Sequence, residues 1–281
     1  LTACTGLLAL CLLPVYAATL PTPSATLQQN LAQHYQQALT PLEVVQLNAE
    51  NEPFLGLFYD QLTASPQGAV LILHDAGTSP DWPYLQRQLH RYLPEVGWST
   101  LAISLPPPQA ALNEVRSEQS ITYTPQSPEQ WQARMNNHIA AALAELNERG
   151  FFNIAVIGIG DSAYQAARYL SERLNPLEQD GYALIMINAP STYPDLPAIV
   201  GALSISTLDL YMTEGRLAHQ QADLRKAAAA KQQHPDYLLI NDAPRQGFYS
   251  IPDIDRTTRR VWGWLRNHAA GLEAQLADKR R

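Results

Sequence analysis

Cysteine is almost missing from this 281-residue chain, and the two that occur, Cys4 and Cys11, lie in the first eleven residues. The rest of the chain has neither a disulfide framework nor thiol chemistry. That suits an oxidising compartment, where a stray pair of thiols would be joined. Charge is missing from the opening as well: the first charged residue is Glu43. No apolar run reaches the length a bilayer demands, since Gly6–Val15 is only about ten residues long. No Gly-rich loop ends in Lys-Ser/Thr, and no Cys/His spacing marks a metal centre, so neither a metal nor a cofactor is expected. A net charge of −7 has the wrong sign for neutralising the phosphates of a nucleic acid.

What is present begins with that short apolar run. It ends in Val15-Tyr16-Ala17, with small residues where a signal peptidase reads. Residues 1–17 are expected to be a secretory signal peptide lacking its positive n-region. The protein is then periplasmic, with no transmembrane span in the mature chain. An N-terminal anchor or a core helix is the alternative. Residues 18–43 read as a linker, Pro21–Ser24, and an amphipathic helix with Leu27, Leu31, Tyr35 and Leu39 spaced by four. Residues 44–281 read as one domain.

Within that domain, Val44–Leu47 and Phe54–Tyr59 are expected to form a hairpin. Ala69–Leu73 is a continuous apolar run of the kind found in buried parallel strands. A helix should follow, capped by Ser79 or Asp81 with Pro83 in its first turn and Leu85, Leu89 and Leu93 facing the core. Strand Trp98–Leu105 stops at Pro106-Pro107-Pro108. Residues Gln109–Gln126 read as a long loop or lid-like insertion. Further strands are expected at Phe152–Ile157, Tyr182–Ile187, Ile205–Met212 and Tyr237–Ile240. Helices are expected at Ser127–Arg149, Tyr164–Leu174, Leu217–Gln233 and Arg256–Ala270. This alternation implies an α/β fold with a mostly parallel central sheet and helices on both faces, a three-layer sandwich.

Two stretches narrow the fold further. One is His74-Asp75-Ala76-Gly77-Thr78-Ser79-Pro80-Asp81-Trp82-Pro83. The other is Gly97-Trp98-Ser99-Thr100-Leu101-Ala102-Ile103-Ser104-Leu105-Pro106. With the closing Arg259-Arg260-Val261-Trp262-Gly263-Trp264-Leu265, they resemble the bacterial α/β-hydrolase-like family known as domain of unknown function 3530. The resemblance implies an α/β-hydrolase-like fold and no particular substrate.

Each slot of the hydrolase constellation has a counterpart to inspect. Phe152–Ala163 reads F-N-I-A-V-I-G-I-G-D-S-A, the strand–turn–helix context of a nucleophile elbow, whose usual form is G-x-S-x-G. The tight turn needs small residues two before and two after the corner. Gly158 and Ser162 meet that need around Gly160, which carries no attacking atom. Framing on Asp161 puts Ile159 in a small-residue position, and framing on Ser162 puts Tyr164 in one. Ser162 and Asp161 nevertheless remain the alternative nucleophiles of a serine-type hydrolase or esterase, with His74 as the alternative base. His74-Asp75-Ala76 takes the place of the oxyanion loop, where a main-chain N–H would act as donor. Glu214 or Asp209 falls near the acid slot. Asp209 on an apolar strand would need an arginine partner if buried. After the last strand there is no histidine; Arg245 takes that place and does not accept a proton.

The expectation is therefore a binding or interaction protein on a hydrolase-like scaffold, with an unidentified small molecule or protein as its partner. The crevice would be walled by His74–Ser79 (His74, Asp75 and Ala76 foremost), Gly160, Asp161, Asn188–Pro190 and Arg245 at the carboxyl ends of the strands. Helical histidines His90, His138, His219 and His268 read as solvated, and the arginine cluster Arg256, Arg259, Arg260 and Arg266 as a solvated helix face with a few ion pairs.

Overall fold

The computed structural model describes residues 30, 32–37, 43–107, 127–212, 215–242 and 255–269. The proposed signal peptide, the Pro21–Ser24 linker, the 109–126 insertion, Glu214 and Arg245 lie outside the described residues.

Among the described residues, eight strands form one sheet in the order β1-β2-β4-β3-β5-β6-β7-β8. Strands β1 (Glu43–Ala49) and β2 (Glu52–Tyr59) make the expected hairpin, paired Ala49 to Glu52 at its tip. Its two-residue turn has positive φ at both Glu50 and Asn51, the twist-matched geometry of tight hairpins. Strand β2 runs antiparallel to β4 (Trp98–Ile103). From there β4, β3 (Gly68–Leu73), β5 (Ile154–Ile159), β6 (Tyr182–Ile187), β7 (Ser206–Tyr211) and β8 (Tyr237–Asn241) are all parallel.

Helices cover both faces. On one lie α1 (Leu85–Glu95) and α6 (Arg256–His268), burying Leu89, Leu93, Val261, Trp264 and Leu265 against Val70, Ile72, Ile157 and Ile185. On the other lie α2 (Pro128–Glu148), α3 (Asp161–Arg173), α4 (Leu196–Ala202) and α5 (Arg216–Lys231). Their Ile139, Leu146, Ala166, Leu170, Val200 and Ala229 pack against Leu71, Val156, Leu184 and Met186. Strand side chains alternate between the faces, so a continuous apolar run such as Val70-Leu71-Ile72 feeds both cores at once. The three-layer α/β sandwich is thus present. Residues 32–37 are helical and bring Tyr35 against Leu55 and Leu57 of β2.

Several local expectations change. Helix α1 begins at Leu85, with neither Ser79 nor Asp81 as its cap. Pro83 disfavours helical geometry at the residue before it, and the turn into the helix is made at Tyr84, which takes φ 72° and ψ −126°. Asp81 instead pairs with Arg87 at 2.8 Å. Strand β5 runs on to Ile159, and α3 starts at Asp161, three residues before Tyr164. Helix α4 was not anticipated; at seven residues it is too short to show a period. His90 and His138 are not solvated: each is 1% exposed. His138 stacks on Phe54 with ring centroids 4.0 Å apart, and His90 meets the Tyr59 ring edge-on at 5.2 Å. An imidazole is apolar enough to pack when neutral, which its polar label hides.

Candidate functional site

The strand order reverses beside β3: the chain leaves β3 toward β4 on one side and returns to β5 on the other. The loops after β3 and β5 therefore diverge from adjacent strands and open the crevice in which open α/β sheets take ligands. His74–Thr78 leaves β3 there, and Gly160 leaves β5.

Gly160 has φ 60° and ψ −127°, a sharp turn that L side chains rarely adopt. The close approach is made possible by Gly158, where a Cβ would fall 2.4 Å from the Ser162 carbonyl oxygen and 2.5 Å from Ala163 Cα. The framing on Gly160 thus coincides with the corner of the turn. The Gly160 N–H donates to the Ile187 carbonyl at 2.9 Å, tying the corner to the end of β6.

The Asp75 carboxylate lies directly over this corner. A Cβ placed on Gly160 would come 2.0 Å from Asp75 Oδ1 and 2.2 Å from its Cγ. Oδ1 accepts the Asp161 N–H at 3.0 Å and the Ala76 N–H at 2.8 Å. These are the main-chain donors of the residue after the corner and of the loop after β3, the pair that would form an oxyanion hole. Gly160 offers α3 no side-chain cap, so a carboxylate from the loop after β3 caps the positive end of the helix.

The other sequence-nominated residues have defined surroundings. Ser162 is 3% exposed, and its hydroxyl donates to the His74 carbonyl oxygen at 2.5 Å rather than to the ring. The His74 ring is engaged at both nitrogens. Nε2 accepts the Leu105 N–H at 3.1 Å, and Nδ1 lies 2.9 Å from the Asp75 carbonyl. Burial pushes this imidazole below its usual range, against the pull of the Asp75 carbonyl and carboxylate. Asp161 is half-buried at the mouth of the crevice. Burial and then the neighbouring Asp75 push its carboxyl up, while a hydrogen bond from Tyr193 opposes them. Ala76 is exposed at the rim.

Residues that sequence reasoning missed flank the corner. Tyr193 donates to Asp161 Oδ1 at 3.3 Å and stacks on Tyr164, with ring centroids 3.8 Å apart and planes 5° from parallel. Tyr164 in turn donates to Asp195 at 2.9 Å. Burial, then Asp161, push the Tyr193 phenol up to about 12. The Tyr193-Pro194-Asp195 turn after β6 was the available signal, because turn residues at a strand's carboxyl end form crevice walls.

Beyond β7 the arrangement is structural. Asp209 is fully buried and has the arginine partner it required: Arg225 Nε donates at 2.6 Å and Tyr237 at 2.6 Å. After β8, Asp242 receives Arg256 Nε at 2.7 Å, Arg260 Nη1 at 2.8 Å and the Thr257 hydroxyl at 2.5 Å. Two of the four arginines, part-exposed on the face of α6, thus make ion pairs that anchor the helix to a buried carboxylate. Among the described residues no group of three or more His, Cys, Asp or Glu is placed to hold a metal, and no helix is long and apolar enough to cross a membrane.

Solved structures share this architecture. A dienelactone hydrolase from Anabaena variabilis superposes with a TM-score of 0.58 at 16% identity, covering 81% of this chain and 98% of its own. A Pyrococcus furiosus esterase gives 0.56 at 14% identity over 82% and 93% of the two chains. Est1E from Butyrivibrio proteoclasticus gives 0.55 at 12% identity over 80% and 98%. At such identities the likeness is one of fold. No curated protein matches the sequence. A family model does match, over residues 14–267, and the chain accordingly belongs to the family described as protein of unknown function DUF3530, built on an α/β-hydrolase fold.

Proposed function

We propose that this is an exported protein that uses a hydrolase-like scaffold for binding or interaction and performs no acyl transfer. The reading rests on one observation above the others: the Asp75 carboxylate accepts both main-chain N–H groups that would stabilise an oxyanion. It does so in the space where a side chain on residue 160 would lie. An oxyanion hole works by presenting unoccupied, preorganised donors to charge that develops in the transition state. Donors already held by a tethered carboxylate offer nothing further. The corner residue supplies no nucleophile. Ser162 is buried with its hydroxyl committed to a carbonyl. Acid–base catalysis needs a group that exchanges protons with substrate near neutrality, and both His74 nitrogens are spent on main-chain partners.

The partner is a small molecule or a protein received at the carboxyl ends of the strands, beside Asp75, Asp161 and the stacked Tyr164–Tyr193 pair. Fluorophosphonate labelling and a panel of short-chain p-nitrophenyl esters test the reading. No labelling and no turnover above buffer are expected. Labelling that disappears in Ser162→Ala, or ester turnover that disappears in Asp161→Asn, would instead establish the hydrolase alternative. Export is tested by fusing residues 1–25 to a reporter active only outside the cytoplasm; an inactive fusion refutes it.

A further inference from the structure

One peptide unit at the exit of β4 is gripped at both ends by buried imidazoles. The Leu105 N–H donates to His74 Nε2 at 3.1 Å. The carbonyl of the same unit, on Ser104, accepts from His138 Nδ1 at 3.1 Å. His74 follows β3 and His138 belongs to α2, so this unit joins three elements. The rings are 6% and 1% exposed.

The two rings respond differently to a proton. A main-chain N–H has only a hydrogen to give, so His74 Nε2 must present its lone pair. The ring hydrogen then resides on Nδ1, facing the Asp75 carbonyl at 2.9 Å, with the Thr78 hydroxyl 3.3 Å away. A proton added at Nε2 would set two donors against each other. His138 already donates through Nδ1, and its Nε2 faces Glu52 Oε1 at 3.7 Å, so an added proton there meets a carboxylate. Of the two grips, only that of His74 is incompatible with a charged ring.

We infer that His74 is a proton-operated latch. Neutral, it holds the Ser104–Leu105 unit and keeps the next residue, Asp75, seated on the Ala76 and Asp161 donors; protonated, it releases both. The second half rests on the reading of the corner given above, and the first does not. The groups around the ring come from each packed element. Asp75 and Thr78 belong to its own loop. Ser162 grips its carbonyl from α3, with Asp161 beside it. His138 stands behind the peptide unit from α2, backed by Glu52 of β2 and Arg134. Burial opposes a charged ring, and Asp75 favours one through its carbonyl and its carboxylate, burial being the larger effect. The latch is therefore closed at neutral pH and opens as pH falls below the ordinary imidazole range.

Amide hydrogen exchange of the full-length chain from pH 8 to 5, corrected for intrinsic rates, tests this. The Leu105 amide should lose protection by up to about tenfold per pH unit, the slope of a one-proton release. The Ala76 and Asp161 amides should follow, while Val156 and Ile185 in the central strands keep theirs. In His74→Gln, whose side-chain oxygen accepts without titrating, the Leu105 profile should be flat; in His138→Gln it should keep its slope. If His74→Gln does not fold, the wild-type His74 ring titration, read by NMR, must share its midpoint with Leu105 exposure. A flat wild-type Leu105 profile overturns the latch. So does loss only together with Val156 and Ile185, an unchanged slope in His74→Gln, or discordant midpoints. Leu105 opening while Ala76 and Asp161 stay protected overturns the coupling to the corner. None of these readouts depends on whether the protein hydrolyses esters.

Discussion

A side chain at position 160 would need the volume that the Asp75 carboxylate fills, and it would need it at φ 60°. Gly160→Ala is therefore expected to cost about 2–4 kcal/mol in urea unfolding, the range of a steric clash added to backbone strain. Asp75→Gly in the same chain should return the steric part and leave about 1 kcal/mol for the conformation and about 1 kcal/mol for the lost cap. Gly158→Ala makes the contrast. Its Cβ meets main-chain atoms of Ser162 and Ala163, and no second substitution should rescue it. The local half of this geometry was legible: small residues at 158, 160 and 162 fix the corner because the constraint acts within five residues. The Asp75 half was not. Its contact with Asp161 spans 86 positions, and no property of Asp75 alone distinguishes a cap donated to another helix from an exposed loop carboxylate.

At the scale of elements, α1 carries an electrostatic weakness and β7 an anchor. His90 is buried with neither ring nitrogen partnered, and burial, helped by Arg91, pushes it down to about 3. A folded-state value below the unfolded one means that its unfavourable effect is absent above the ordinary imidazole range. Stability is then lost as pH falls from about 6.5 toward 3, at about 1.4 kcal/mol per pH unit. His90→Phe should remove that slope and raise stability at pH 5, as read by urea midpoints at pH 5 and 8. The Asp209–Arg225 pair joins β7 to α5 out of contact with water. Arg225→Met should cost about 3–5 kcal/mol by stranding a buried carboxylate, whereas Asp209→Leu with Arg225→Met should cost less. The need of Asp209 for an arginine could be read from a lone acid in an apolar strand. Which arginine could not, because α5 alone offers Arg216 and Arg225 and only the packing selects between them. Strands and long helices were read well where apolar period and flanking turns agreed, as at Ser127, whose capping box with Gln130 opens α2. Entry to α1 was misread because two cap candidates preceded a proline.

Across the described residues, four depressed imidazoles act together. His74, His90, His138 and His234 all lie below their ordinary range through burial. Each adds stability above about pH 6.5 that is lost on acidification. Glu52, held down by its hydrogen bond from Arg134, acts in the same sense at lower pH. Asp161, pushed up, acts in the opposite sense: its ionisation opposes folding at neutral pH, and that opposition is relieved in acid. With four imidazoles and Glu52 set against Asp161, the melting temperature by calorimetry should fall steadily from pH 7 to 5; a constant value would contradict the burial of these rings. The alternation of strands and helices made the three-layer sandwich legible from sequence. Strand order was not, since adjacency in a parallel sheet is decided by crossovers that leave no local mark.

The shared volume of Gly160 and Asp75 bears on how this scaffold could change. Serine at 160 alone collides with the carboxylate, and loss of the carboxylate alone strips the helix of its cap. Serine placed first is worse than either endpoint, whereas the carboxylate can go first at the cost of the cap alone. Arming this corner with a hydroxyl thus requires two replacements, so libraries built from single substitutions should return no hydrolytic variants here, while paired libraries at 75 and 160 have a passable route.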